Sequence, residues 1–203
     1  MNAPSAMIEG IQGAVAGIGR TPCGCVRRYG FLLALLLLQL VLGAHAQTSR
    51  EDQIKAAFVY NFTKFIEWPS TSFADANAAI VIGVLGDSPM AAVLDGVVRD
   101  RKVNGRPIIV RTIQGAADAA STHLLFVSAA ENSRWAQLQA AIETRPVVTV
   151  GESPSFTQTG GTINFIVQGD KLHFVINMVA AEQSGVKISA QLQKLAAAVQ
   201  RVP

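Results

Sequence analysis

Residues 79–89 read AIVIGVLGDSP. The first seven, Ala79–Leu85, are an unbroken apolar run rich in β-branched side chains. A run with no polar face predicts a strand covered on both sides, as in a parallel sheet. Asp87-Ser88-Pro89 follows, an N-capping residue type and then a proline suited to a first helical turn. Strand, tight turn and helix in that order begin a βαβ unit.

Working outward, the helix opened at Pro89 reaches about Val98, and Arg99–Gly105 reads as a charged turn segment. Pro107–Ile113, His123–Ser128 and Pro146–Val150 are further short apolar runs, read as strands. Glu131–Glu143 lies between the last two and puts Trp135, Leu138 and Ile142 on one helical face. Beyond residue 160 the pattern changes. Thr162–Val167 and Lys171–Ile176 flank Gln168-Gly169-Asp170, which predicts a β-hairpin. Asn177–Gln183 reads as a short helix, and Ile188–Val199 as a final one. The fold class is α/β: a three-layer domain with a mixed, mostly parallel central sheet flanked by helices, then a C-terminal β-hairpin plus helix.

Ahead of the first strand, Arg50–Trp68 is helical in pattern, with Ile54, Ala57, Phe58, Asn61 and Phe65 on one face and Pro69 as terminator. Asn61 falls on the stripe expected to be buried and so needs a hydrogen-bond partner. Tyr60, Phe62 and Ile66 extend the apolar surface beyond that stripe. Phe58, Tyr60, Phe62 and Phe65 cannot all face one core. Either the helix packs on two sides, or part of it forms a partner or dimer surface, where aromatics are enriched. Replacing Phe62 by alanine separates the two: a partner surface loses its contact, a core residue loses the fold.

The N-terminus carries FLLALLLLQLVL at Phe31–Leu42. About 20 apolar residues are needed to span a bilayer, so this run is too short, but it fits the apolar region of a secretion signal. Arg27 and Arg28 precede it, and Ala44-His45-Ala46 matches a small-x-small cleavage site. The stretch ahead of Arg27 is long for a signal, which points to a start codon further downstream. Residues 1–46 are therefore read as a removable signal peptide, and residues 47–203 as one domain. A retained signal anchor is the rival reading. The net charge of +3 belongs partly to the signal. Without Arg20, Arg27, Arg28 and Glu9, 14 basic and 13 acidic residues remain. No basic stripe is left for nucleic acid, nor a polybasic patch for lipid headgroups. Cys23 and Cys25 also leave, so the domain has no thiol for a disulfide, a thiolate metal site or a cysteine nucleophile.

Catalytic patterns are absent. His123 and His173 are the histidines of the domain, with no His-x-His or His-Glu-x-x-His spacing for a metal. His123 opens an apolar strand, where a packed, hydrogen-bonded ring is expected. Gly86-Asp87-Ser88-Pro89 and Gly151-Glu152-Ser153-Pro154 lack the last glycine of a nucleophile elbow. They read as capped turns at one sheet edge, where Asp87, Ser88, Glu152 and Ser153 could rim a small pocket. No catalytic residue, metal or cofactor is expected.

Several blocks, in order, resemble the YfiR-like periplasmic proteins. They are KAAFVYNFTKFIEWP (Lys55–Pro69), IGVLGDSP (Ile82–Pro89), LLFVS (Leu124–Ser128), VGE (Val150–Glu152), GTINF (Gly161–Phe165), FVIN (Phe174–Asn177) and VKISAQL (Val186–Leu192). The resemblance implies a periplasmic regulator, often dimeric and not an enzyme. Its partner would be the outer domain of a membrane diguanylate cyclase, held inactive so that cyclic di-GMP and biofilm formation fall; other sensor proteins, such as histidine kinases, are also partners in the family. Some members carry cysteine pairs tied to redox state, which this domain lacks, and some are thought to sense small aromatic molecules. The partner contact is expected through the aromatic helix, with Phe58, Tyr60, Phe62 and Phe65 as its candidates, and through the C-terminal segment. Lys171 and His173, two residues apart on one strand face, are the candidates for a small aromatic ligand. The rivals are a solute-binding module feeding a sensor or transporter, and a hydrolase using Ser88 or Ser153.

Overall fold

The apolar run beginning at Ile80 is a strand buried at all six positions to Leu85, and the sheet is laid down on both sides of it. The computed structural model describes residues 50–202. The proposed export segment, with its cleavage site and both cysteines, lies outside the described residues.

The chain runs through α1 (residues 50–65), β1 (Ile66–Glu67), β2 (Ile80–Leu85), α2 (Met90–Val98), β3 (Lys102–Val103) and β4 (Arg106–Ile113). It continues through α3 (Ala116–Ala119), β5 (Leu124–Val127), α4 (Asn132–Ile142), β6 (Val148–Gly151), β7 (Ile163–Gln168) and β8 (Lys171–Asn177). It ends with α5 (Met178–Gln183), β9 (Lys187–Ile188), α6 (Ala190–Leu195) and β10 (Ala198–Gln200). Eight strands form one sheet in the order β10-β8-β7-β6-β5-β2-β4-β3. The five from β4 to β7 are mutually parallel. The hairpin strand β8 runs against β7, and β3 against β4. The architecture is the three-layer α/β domain with a mixed, mostly parallel sheet that the sequence pattern predicts.

Alternation along the strands feeds two cores. Ile80, Ile82 and Val84 join Leu124, Phe126, Val148 and Val150 under α1 and α2. Leu85, Leu125 and Val127 face the other way, against Trp135, Leu138, Ile142 and Phe156. Phe156 reaches this second core because Gly151 and Gly161 let its ring in: a Cβ on either would lie 2.2–2.3 Å from a ring carbon.

Some local readings are corrected and others refined. The first helix ends at Phe65, not Trp68. Ile66 and Glu67 pair antiparallel with Ile188 and Lys187, and this tertiary pairing takes the chain out of the helix before Pro69 can act. The predicted buried stripe is the open side of α1. Ala56, Val59, Tyr60, Phe62 and Thr63 are buried instead, while Ile54, Ala57 and Asn61 are exposed and Phe58 and Phe65 half-buried. Asn61 has a surface partner, accepting from Lys64 Nζ at 3.0 Å. The predicted helix over Ile188–Val199 is three pieces. Ser189 Oγ caps α6 by accepting from the Leu192 amide, and the chain is extended at Ala196 before β10 pairs parallel with β8. Within the charged segment 99–105, Asn104 and Gly105 take positive φ angles of 51° and 81°. They form a tight turn that pairs Val103 with Arg106. At the α2 cap, Ser88 rather than Asp87 supplies the oxygen, accepting from the Met90 amide.

Two contacts set α1 on the sheet. Phe62 stacks on Phe165 at 5.8 Å and meets Phe174 edge-on at 4.9 Å. Nearer the start of the described helix, Lys55 Nζ is bonded to Glu152 at the carboxyl end of β6 and pairs with Glu51 at 2.7 Å. The other Glu152 oxygen accepts from the Ala129 amide. Burial alone would lower the Lys55 pKa, but the hydrogen bonds and charges of Glu152 and Glu51 outweigh it and hold the ammonium above its usual value. The folded state therefore favours the proton on Lys55, a stabilisation present below about pH 10.5 and lost as pH rises through the folded-state value.

Phe62→Ala should cost about 3–5 kcal/mol in urea unfolding, because the ring is 1% exposed and its loss leaves a cavity. Glu152→Gln should cost about 1–3 kcal/mol in the same assay, since it leaves a largely buried ammonium short of one carboxylate.

Candidate functional site

With its inner face against the sheet, α1 turns Phe58, Asn61 and Phe65 toward a groove. The opposite wall is β8, through Leu172, His173 and Phe174, and the third is α6, through Leu192 and Leu195. The groove holds about 470 Å³. Its floor is aromatic: Phe58 lies 6.0 Å from each of Phe62, Phe165 and Phe174. Its lip is Leu195, 62% exposed.

The open surface continues along α1. Ile54, 44% exposed, and Val167, 65% exposed at the hairpin, line a second hollow with Arg50, Glu51 and Lys171. A third, around Lys55 and Glu152, lies beneath Phe165 and Val167. Leu172 lines all three, so the hollows are neighbours around one end of the sheet.

The structure divides the sequence-derived candidates. Tyr60 and Phe62 are core residues, 9% and 1% exposed. The Tyr60 ring is held between the Lys64 ammonium, 4.3 Å from its centroid, and the Arg101 guanidinium, at 4.8 Å. Phe58 and Phe65 line the groove. His173 lines the groove too, whereas Lys171 borders the second hollow, so the two share a strand but not a pocket. Sequence reasoning did not single out Leu172, Leu192 or Leu195 for the groove, nor Ile54 for the second hollow. Leu195 stands exposed because α6 stops there, while Leu192, 2% exposed, lies deeper.

The sheet edge where Asp87, Ser88, Glu152 and Ser153 were expected to form a rim is occupied by internal bonds. Ser153 Oγ donates to Asn132 at 2.9 Å, Ser88 caps α2, and Glu152 is taken by Lys55 and the Ala129 amide. Among the described residues, no hydrogen bond joins either serine to a histidine. His123 is buried, as its strand position implies. Its Nδ1 accepts from the Val81 amide at 3.0 Å and its Nε2 lies 3.2 Å from the Ser72 carbonyl, which fixes the neutral Nε2–H tautomer. Burial first, and then the Arg106 charge, push its pKa below the usual histidine value, against the opposing Ser72 bond. Among the described residues, no group of three or more His, Cys, Asp or Glu side chains is placed to hold a metal ion. No helix among them is long and apolar enough to cross a membrane.

Comparison with known proteins adds the following. No individually curated protein matches the sequence. A conserved domain protein from Vibrio cholerae O1 biovar El Tor matches in structure at 15% identity and a TM-score of 0.46, over 60% of this chain and 55% of that one. A domain from Streptococcus pneumoniae, solved in complex with L-Trp, matches at 14% identity and a TM-score of 0.42, over 59% of this chain and 56% of that one. This chain thus spans little more than half the length of either, and both scores are too low to establish a shared fold. The YfiR/HmsC-like family profile, by contrast, matches residues 52–197. That range takes in every wall of the groove, from α1 through the β7–β8 hairpin to α6, and most of the 203 residues. The chain belongs to the YfiR/HmsC-like family.

Proposed function

We propose that this protein is a periplasmic regulator that docks on the outer domain of a membrane diguanylate cyclase through the α1–β8–α6 groove, holding the cyclase inactive. Membership of the family supports the general part of this reading, a periplasmic regulator with cyclic di-GMP signalling as its theme. Export would occur by way of residues 1–46, with cleavage near Ala46, and the working form would be a homodimer.

The observation that carries the proposal is the groove itself. Half-buried Phe58 and Phe65, with Leu192 and the outstanding Leu195, make an apolar trough beside an aromatic floor. Exposed apolar patches with aromatic anchors are what partner surfaces present. At the sheet edge where open α/β folds usually bind small molecules, the Glu152 carboxylate is already paired with Lys55, and the hollow beside them carries no aromatic floor like that of the groove. Tyr60 and Phe62 would then act through the fold, by shaping the floor, and Phe58 and Phe65 through contact.

The groove volume favours one second reading. About 470 Å³ is also the size of a small-molecule pocket, and a small aromatic ligand stacked against Phe58 would meet His173 at the wall. Lys171, bordering the next hollow, would offer its cation only to a ligand that extends past Leu172.

The test is cellular cyclic di-GMP in the native host. Deleting the gene should raise it, and an exported wild-type copy should restore it. A copy lacking residues 1–46 should not. Leu195→Glu should fail to restore it while unfolding within about 0.5 kcal/mol of wild type, because Leu195 is mostly in water. If Leu195→Glu restores fully, the groove is not the docking surface. If instead one aromatic metabolite raises the melting temperature of the purified protein strongly and deletion leaves cyclic di-GMP unchanged, the ligand-binding reading replaces it.

A further inference from the structure

The segment between β1 and β2, residues 68–79, crosses the sheet without regular structure beyond a single 3-10 turn at Ser70–Ser72. It is held down by a column of rings. His123 stands at the start of β5. Phe73 stacks on its imidazole at 4.5 Å and 18°, and Trp68 meets it edge-on at 5.9 Å. The Trp68 indole donates to the His123 carbonyl at 3.0 Å. Over Phe73 lies the Arg106 guanidinium, 3.8 Å from the ring centroid, donating in turn to the Asp75 and Ala78 carbonyls at 2.8 and 2.9 Å. The imidazole closes this column from inside, with the Val81 amide on one nitrogen and the Ser72 carbonyl on the other.

We infer that His123 is the catch of an acid-operated clasp: taking a proton on Nδ1 frees the 68–79 segment from the sheet. The geometry leaves the proton nowhere else to go. Nε2 already carries a hydrogen toward Ser72, so the second proton lands on Nδ1, where it faces the Val81 N–H, donor against donor. The ring must leave its place, and Phe73 loses the surface it stacks on. The charged and titratable groups of the surrounding elements offer the new cation no anion. β4 contributes Arg106 and Arg111, α3 Asp118, and the turn before β6 Glu143 and Arg145, while β2, β5 and β6 carry none; of these charges Arg106 is the one that bears on the ring, and it repels a second positive charge. Asp75 turns its carboxylate to the Asn77 amide, and Glu67 on β1 is exposed to solvent.

The sign follows from the neutral imidazole of the folded state. Below the ordinary histidine value of 6.5 the unfolded chain takes a proton that the folded clasp refuses. Stability of the segment therefore falls as pH drops below about 6.5, and stops falling beneath the folded-state value. Asp52, whose carboxyl is pushed up by burial, works in the opposite sense, since protonating it relieves the folded state. The clasp is connected to the groove: Trp68 follows β1 directly, β1 pairs with β9, and the Phe65 carbonyl accepts from the Ser189 amide that begins α6. The clasp stands independently of the docking proposal; only its effect on a partner rests on that reading.

The experiment uses protein recovered from a periplasmic extract, with histidine labelled for NMR and amide exchange followed by mass spectrometry. At pH 7.5 the His123 ring should show the Nε2–H tautomer. Between pH 7.5 and 5 it should titrate with a midpoint below 6.5, and protection of residues 70–78, corrected for intrinsic rates, should fall about tenfold while the β7–β8 hairpin keeps its protection. His173→Gln should leave this response in place, and His123→Gln should remove it. A His123 ring that stays neutral at pH 5, or one that titrates with residues 70–78 equally protected, overturns the proposal in the wild-type protein alone, whether or not His123→Gln folds. A response that survives in folded His123→Gln overturns it as well.

Discussion

Phe62 seated against Phe165 and Phe174 fixes the rotation of α1, and the rest of the molecule's working surface follows from that one packing choice. A helix of this composition has apolar side chains on nearly every side, so the sheet cannot cover them all. Turning Phe62 inward sends Val59 and Ala56 with it and leaves Phe58, Phe65 and Ile54 facing out. The chain then uses that outer face: α6 is brought alongside, and the trough between them becomes the groove. The ion pair of Lys55 with Glu152 closes the same arrangement from the other end. It holds α1 in place across the carboxyl edge of β6 and at the same time neutralises the carboxylate at the spot where a doubly wound sheet most often receives a ligand.

The sheet was readable because its central strands are apolar at almost every position. Ile80–Leu85, Leu124–Val127 and Val148–Gly151 have no alternative use in a domain of this size. The rotation of α1 was not readable, for a reason visible in two residues. Lys55 and Thr63 sit on its buried face, where a pattern argument expects none but apolar side chains. Thr63 is satisfied locally, by donating to the Tyr60 carbonyl at 2.6 Å. Lys55 is satisfied by a carboxylate 97 residues away. Two polar residues with hidden partners made the true inner face look like the outer one, and the stripe through Ile54, Phe58 and Phe65 looked like the core.

The other misreadings differ in kind. The Asn104-Gly105 turn carried a legible signal, since that dipeptide adopts the two left-handed conformations a tight hairpin needs. The charges around it drew attention away. The break after Leu195 carried none: Ala196, Ala197 and Ala198 are good helix formers, and only the pairing of β10 with β8 pulls them into extended form. As a result the C-terminal segment could be named as part of the contact surface but its groove residues could not, whereas Phe58, Phe65 and His173 could.

The two-rung ladder of β1 and β9 has a mechanical meaning. It welds the exit of α1 to the entry of α6, so the facing walls of the groove share one short hinge pin. An occupant that wedges the trough open cannot push one wall alone; it must twist both helices about that pin or shear its rungs. So small a seam gives the molecule a lever with a low yield point, where modest force at one face is felt as a change of angle on the other.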